Sequence, residues 1–209
     1  MKLVKLFVMG LCVVAMAACN TKPAETEKEM KYENETIATI MERRSIRKYK
    51  PETVARETLE KIMECGINAP NGQNKQSWEV RVVDNPEVMA EINAVIAEAY
   101  GEKAEMAVGC FRGAPVMVFI ARDLSYDFSA YDCGLLAENI MLSAQSLGVG
   151  SICLGSPVRI INDNEACAPV LERLGFSEGY EFCLCVGLGY ADEAPEAKPR
   201  MKEKVKFVE

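Results

Sequence analysis

The sequence predicts an α+β protein, because apolar residues recur with helical spacing in some segments and with strand spacing in others. The two kinds intermix without a regular βαβ rhythm, and no GxGxxG turn joins a strand to a helix. With 209 residues, 49% hydrophobic and 26% charged, the chain is long enough for one well-buried domain plus appendages.

The elements follow in order. Met1 to Lys5 carry two lysines, and Leu6 to Ala18 form an apolar run too short to span a bilayer. This reads as a signal peptide over residues 1–18. Met16-Ala17-Ala18-Cys19 resembles a bacterial lipobox, in which Cys19 is diacylated and becomes the new N-terminus; an ordinary secreted protein cut near Ala18 is the other reading. Residues 19–34 are polar and without periodicity, a solvated tether. The expectation is export to the bacterial cell envelope, with membrane contact through the lipid anchor only.

The folded domain is expected over residues 35–209. Glu35 to Arg43 reads as a helix, and Val54, Leu59, Ile62 and Met63 share the face of a second that Gly66 would terminate. Trp78 to Asp84 alternates like a strand. Asn85-Pro86 caps and opens a helix running to Tyr100. Ala114 to Ala121 is a continuous apolar run, a strand buried on both faces. Ser129 to Leu147 is the longest helix, apolar around much of its circumference and closed by Gly148, so it is placed in the core. Gly150 to Ser156 forms a short strand or turn, Asp163 to Leu174 a helix, and Glu181 to Gly189 the last strand.

Composition removes several chemistries. A net charge of −7 and a pI near 5.0 argue against a nucleic-acid surface. The chain has no histidine, which excludes Ser-His-Asp and Cys-His nucleophiles, a histidine metal site and an imidazole proton shuttle. Of the nine cysteines, seven lie in the domain, an odd number that cannot all pair. No CxxC spacing supports zinc, and no metal is expected. Alternation along Tyr180 to Tyr190 would put Cys183 and Cys185 on one face, either as buried thiols or as a thiol redox centre.

Against that acidic background "MERRSIRKYK", residues 41–50, holds five arginines or lysines in ten positions. Three other segments accompany it: the amide-rich "APNGQNKQSWEV" at 69–80, "GVGSICLGSP" at 148–157, and "AKPR" at 197–200. In this order the four segments resemble the nitroreductase family of flavin-dependent oxidoreductases, over about residues 35–209. "RRSIRKY" and "PNGQNKQSW" carry most of the likeness, and the closing "VGLGYADEAPEAKPR" supports it.

The resemblance implies a nitroreductase-like FMN-binding fold, with a central mixed, mainly antiparallel sheet flanked by helices, in a homodimer. It implies FMN phosphate held by Arg43, Lys198 and Arg200 with the Ser45 hydroxyl, the geometry that a phosphate dianion favours. Arg44 matches a further flavin contact, and Arg47 the cation beside the pyrimidine edge of the ring, the one catalytic candidate. Asn71 and Asn74 match positions that reach the partner subunit's flavin. Gly155 and Ser156 match the turn whose backbone amide meets the ring. The implied activity is two-electron hydride reduction of a small-molecule acceptor, a nitroaromatic or quinone, by a ping-pong mechanism, with NAD(P)H as a candidate donor. A flavin-storing lipoprotein without turnover is the alternative. The family's Gln-Pro-Trp is Gln76-Ser77-Trp78 here, which should loosen that turn, and the pocket-shaping excursion is short, about Tyr100 to Arg112.

Overall fold

The computed structural model of the protein describes residues 31–209. The signal run, Cys19 and most of the proposed tether lie outside the described residues.

Seven helices and four strands make up the described chain: α1 Glu35–Glu42, α2 Arg56–Ile67, β1 Trp78–Val83, α3 Pro86–Tyr100, α4 Ala104–Val108, β2 Val116–Asp123, α5 Ser129–Ser146, β3 Gly150–Leu154, α6 Ser156–Asn162, α7 Ala168–Leu174 and β4 Tyr180–Gly189. The strands form one sheet in the order β1-β2-β4-β3, with every ladder antiparallel. The single parallel contribution is a bridge from Ser45 to Ser151. β2 is buried over Val116–Ala121, as expected of its unbroken apolar run, and it is a central strand.

Two cores flank the sheet. One holds Met117, Phe119, Ile152 and Cys185 with α3, α6 and α7; the other holds Val118, Ile120, Val186 and Leu188 with α2 and α5. Alternate residues of β2 therefore serve opposite cores. The cap read from sequence is in place, Asn85 Oδ1 accepting from Glu87 N–H at 2.8 Å, and Asn34 caps α1 in the same way, its Oδ1 accepting from Ile37 N–H at 3.0 Å. Gly148, at φ +74°, follows the end of α5.

Three expectations are corrected. Gly66 does not end α2 but lies buried inside it, where a Cβ would come within 2.6 Å of Ile140 Cγ1. Its missing side chain is what lets α2 pack closely on α5. The helix α6 starts at Ser156, the end of the expected strand or turn, and fills a stretch to which the sequence assigns no element; its seven residues are too few to display a periodicity, and Pro157 at its start supplies only a local signal. Finally, α5 is buried on one face alone, while Tyr131 and Leu135 stand exposed on the other.

Candidate functional site

The basic segment is held by backbone pairing at both ends. Ile46 N–H donates to Ser151 O at 3.0 Å, Lys50 N–H to Tyr190 O at 2.9 Å, and Asp192 N–H to Lys48 O at 3.0 Å. The chain is thus stitched between the start of β3 and the stretch after β4. Ile46 is buried and Arg47 exposed, the alternation of an extended segment.

This path brings the two ends of the domain together. Arg43, Arg44, Ser45 and Arg47 line one cavity of about 120 Å³ with Pro195, Glu196, Ala197, Lys198 and Arg200. Five cations and one carboxylate meet there, and none of the five makes an ion pair among the described residues. Three of them are held instead by backbone carbonyls. Arg44 Nη1 donates to Met41 O at 2.8 Å and Arg43 O at 2.9 Å, Arg47 Nη1 to Ser45 O at 3.0 Å, and Arg200 Nη1 to Lys198 O at 3.0 Å. Arg47 N–H is also bonded to the Glu193 carboxylate. Arg43 Nη1 is buried with no partner among the described residues, and the Lys198 ammonium makes no hydrogen bond there. Five unpaired cations gathered on one cavity with a single carboxylate suit it to an anion.

Gly155 and Ser156 lie where β3 passes into α6. A Cβ at Gly155 would meet nothing within 4 Å. Ser156 lines a second, wider cavity of about 460 Å³ with Tyr100, Met106, Arg159, Ile160 and Asp163. Its wall comes partly from the short excursion, which folds as α4 between two 3-10 turns.

Asn71 and Asn74 line neither cavity. They sit in a loop in which Gln73, Asn74 and Gln76 all take left-handed φ of +50° to +55°. Asn71 holds the loop from inside, its Oδ1 accepting from Gln76 N–H at 2.9 Å. The turn is not loosened by Ser77. That residue is 1% exposed, and its hydroxyl donates to Asp132 Oδ2 of α5 at 2.6 Å. Asp132 escaped the sequence reading because an aspartate in the first turn of a helix ordinarily signals favourable interaction with the helix dipole.

The cysteines also depart from expectation. The β2–β4 register shifts between Ile120 and Ala121, which pair with Leu184 and Phe182 and leave Cys183 unopposed in a β-bulge. Cys183 then joins Leu184 on the α5 side while Cys185 enters the other core. The two thiols face apart, so they form no redox pair; burial pushes the Cys185 thiol up, and a hydrogen bond with Cys133 lowers that of Cys183. Cys153, on β3, is exposed.

An antiparallel sheet with helices on both faces and a cationic cavity built from both ends of the domain define a class of α+β proteins suited to a phosphate-bearing ligand. The Nitroreductase family model matches residues 40–190. The chain belongs to that family. It is 31% identical over 183 residues to the NADPH-flavin oxidoreductase of Vibrio harveyi, covering 82% of this chain and 72% of that protein. Among solved structures it resembles a nitroreductase with bound FMN from Desulfitobacterium hafniense DCB-2, at a TM-score of 0.74 and 36% identity over 84% of this chain and 99% of that one. A second, from Bacteroides fragilis NCTC 9343 and also with bound FMN, gives a TM-score of 0.73 and 26% identity over 84% and 100% of the two chains.

Proposed function

We propose that the protein is an FMN-dependent oxidoreductase that carries out two-electron reduction of a small acceptor, a nitroaromatic or quinone, with donor and acceptor using one pocket in turn. The observation that carries this reading is the cavity where Arg43, Arg44, Arg47, Lys198 and Arg200 converge with no ion-pair partner among the described residues. The residues fit FMN: a phosphate supplies the negative charge that these five cations lack, and the open space at Gly155 admits a planar ring close to backbone. Arg43, Ser45, Lys198 and Arg200 would hold the phosphate, Arg44 and Arg47 the neighbouring flavin atoms, and Gly155 and Ser156 the ring. When bound, the flavin supplies the two-electron chemistry; the chain orients it and sets the charge around it.

The decisive experiment combines a spectrum with turnover. The purified chain should be yellow, release its chromophore on heating, and oxidise NAD(P)H in the presence of a nitroaromatic or quinone. A yellow protein that turns over no acceptor with any tested donor would favour flavin storage instead.

Arg47 has its own test. A cation beside the ring edge stabilises the reduced, more negative flavin over the oxidised form, whereas a phosphate contact binds both about equally. Arg47→Ala should lower the two-electron potential by roughly 30 mV for each 1.4 kcal/mol of differential stabilisation lost. An unchanged potential in a variant that still binds FMN returns Arg47 to the phosphate cluster.

Export to the cell envelope with a lipid on Cys19 is supported by the N-terminal sequence alone. Among the described residues no helix is long and apolar enough to cross a membrane, so attachment would rest on the acyl chains. Cys19→Ala should lose palmitate labelling and leave the precursor uncut or misprocessed. Retained labelling would refute the lipobox.

A further inference from the structure

We propose that Asp132 is a positioning residue for the flavin, fixing from α5 the loop of Asn71 and Asn74; the proposal rests on the flavoprotein reading above. The loop is an unfavourable piece of backbone. Gln73, Asn74 and Gln76 are left-handed, and none is a glycine. Such a conformation persists only where its surroundings hold it. The loop's own bonds, Asn71 Oδ1 with Gln76 N–H and Gly72 O with Lys75 N–H at 3.0 Å, stabilise its interior but do not fix it to the domain.

The Asp132 carboxylate does that at both ends. Oδ1 accepts from Gly72 N–H at 2.9 Å and Oδ2 from the Ser77 hydroxyl at 2.6 Å. Ser77 O in turn accepts from Asp123 N–H at 3.1 Å, which ties the exit of the loop to the end of β2. Asp132 is 3% exposed and has no cation partner among the described residues. A buried carboxylate so placed is costly unless its hydrogen bonds are needed, and an alanine would pack at this helix position without that cost. Behind the loop stands Tyr126. A Cβ at Gly72 would lie 2.1 Å from its hydroxyl, and Lys75 Nζ lies 4.5 Å from its ring centroid. Gly72 therefore has to be side-chain-free to admit the ring, and Asp132 holds its amide there.

The placement has a consequence for assembly. Asp132 and the exposed Tyr131 are adjacent on α5, so the loop is tied to the same helix that presents this outer face. A serine at the family's proline position is then a substitution of one restraint for another: a hydrogen bond to α5 in place of a fixed φ.

The test uses the full chain with FMN and four variants. Asp132→Ala removes both acceptors; Asp132→Asn keeps an oxygen for Gly72 N–H and offers an NH₂ to the Ser77 oxygen. The Gly72 amide should exchange with deuterium ~100-fold faster in Asp132→Ala, and the FMN Kd should rise ~10-fold or more, while Asp132→Asn stays within ~3-fold of the parent. If Asp132→Ala fails to fold, Ser77→Ala removes only the 2.6 Å bond and should weaken FMN ~3-fold or more with a preserved melting transition. Asn74→Gly, which tolerates the left-handed φ, probes the loop's contact with flavin directly. Loss of FMN affinity in Asn74→Gly with unchanged affinity in folded Asp132→Ala and Ser77→Ala overturns the positioning role and leaves the flavin reading standing. Unchanged affinity in all three removes the loop from the flavin site, and the role of Asp132 with it.

Discussion

Replacing Lys198 and Arg200 together by alanine is expected to leave a folded protein that no longer retains FMN. In the proposed site each would contribute a charge-assisted contact to the phosphate worth about 1.5–3 kcal/mol, so losing both should raise the Kd by roughly 10²–10⁴-fold. The fold should not suffer, because both side chains are exposed on an irregular tail and neither makes an ion pair among the described residues. Surface changes of that kind lie within about 0.5 kcal/mol. The readouts are flavin content after gel filtration and the apoprotein melting temperature. A double variant that remains fully yellow would show that Arg43, Arg44 and Arg47 suffice. Arg43→Ala is a companion, since it deletes the one guanidinium nitrogen that is buried without a partner among the described residues.

Much of this was legible before the structure, and what was not has physical reasons. Asn85-Pro86, the alternation of Trp78–Val83 and the apolar run of β2 all report local rules, with each residue's role set by its immediate neighbours. The resemblance placed Arg43, Ser45, Lys198 and Arg200 at one phosphate, and these residues do line one cavity although more than 150 positions separate the two ends. Failures came where a residue's role is set by a distant element. Gly66 looked like a helix stop because its reason, the side chain of Ile140, lies more than 70 residues away. Cys183 and Cys185 were given one face because alternation is the only rule a strand displays in sequence; the bulge that separates them is a property of pairing with β2. Ser77 looked like a weakened turn because the acceptor that restrains it, Asp132, belongs to α5.

The largest effect on assembly is expected from Leu135→Arg. Phe128, Tyr131 and Leu135 recur at spacings of three and four along the start of α5 and are 57%, 69% and 45% exposed, an apolar stripe whose opposite face is already buried in the core. Ile40 and Met41 of α1, which packs against α5, extend the same kind of exposure. Single exposed apolar residues need no explanation, but a contiguous stripe on the longest helix of an otherwise acidic protein is the mark of a protein interface, and a second copy is the occupant that the homodimer reading supplies. Arginine and leucine have similar helix propensity, so the helix itself should persist. In a two-fold dimer the substitution enters twice, and each buried, unpaired guanidinium costs several kcal/mol, enough to move a stable dimer to monomer at micromolar concentration. If Asn71 and Asn74 serve the partner's flavin, half the site leaves with the partner. FMN affinity should then fall with assembly, although every residue of the phosphate cavity is unchanged. Sedimentation velocity and flavin titration on one sample decide it: a monomer that binds FMN as tightly as the parent would place the whole flavin site within one chain, and an intact dimer would move the interface off this face of α5.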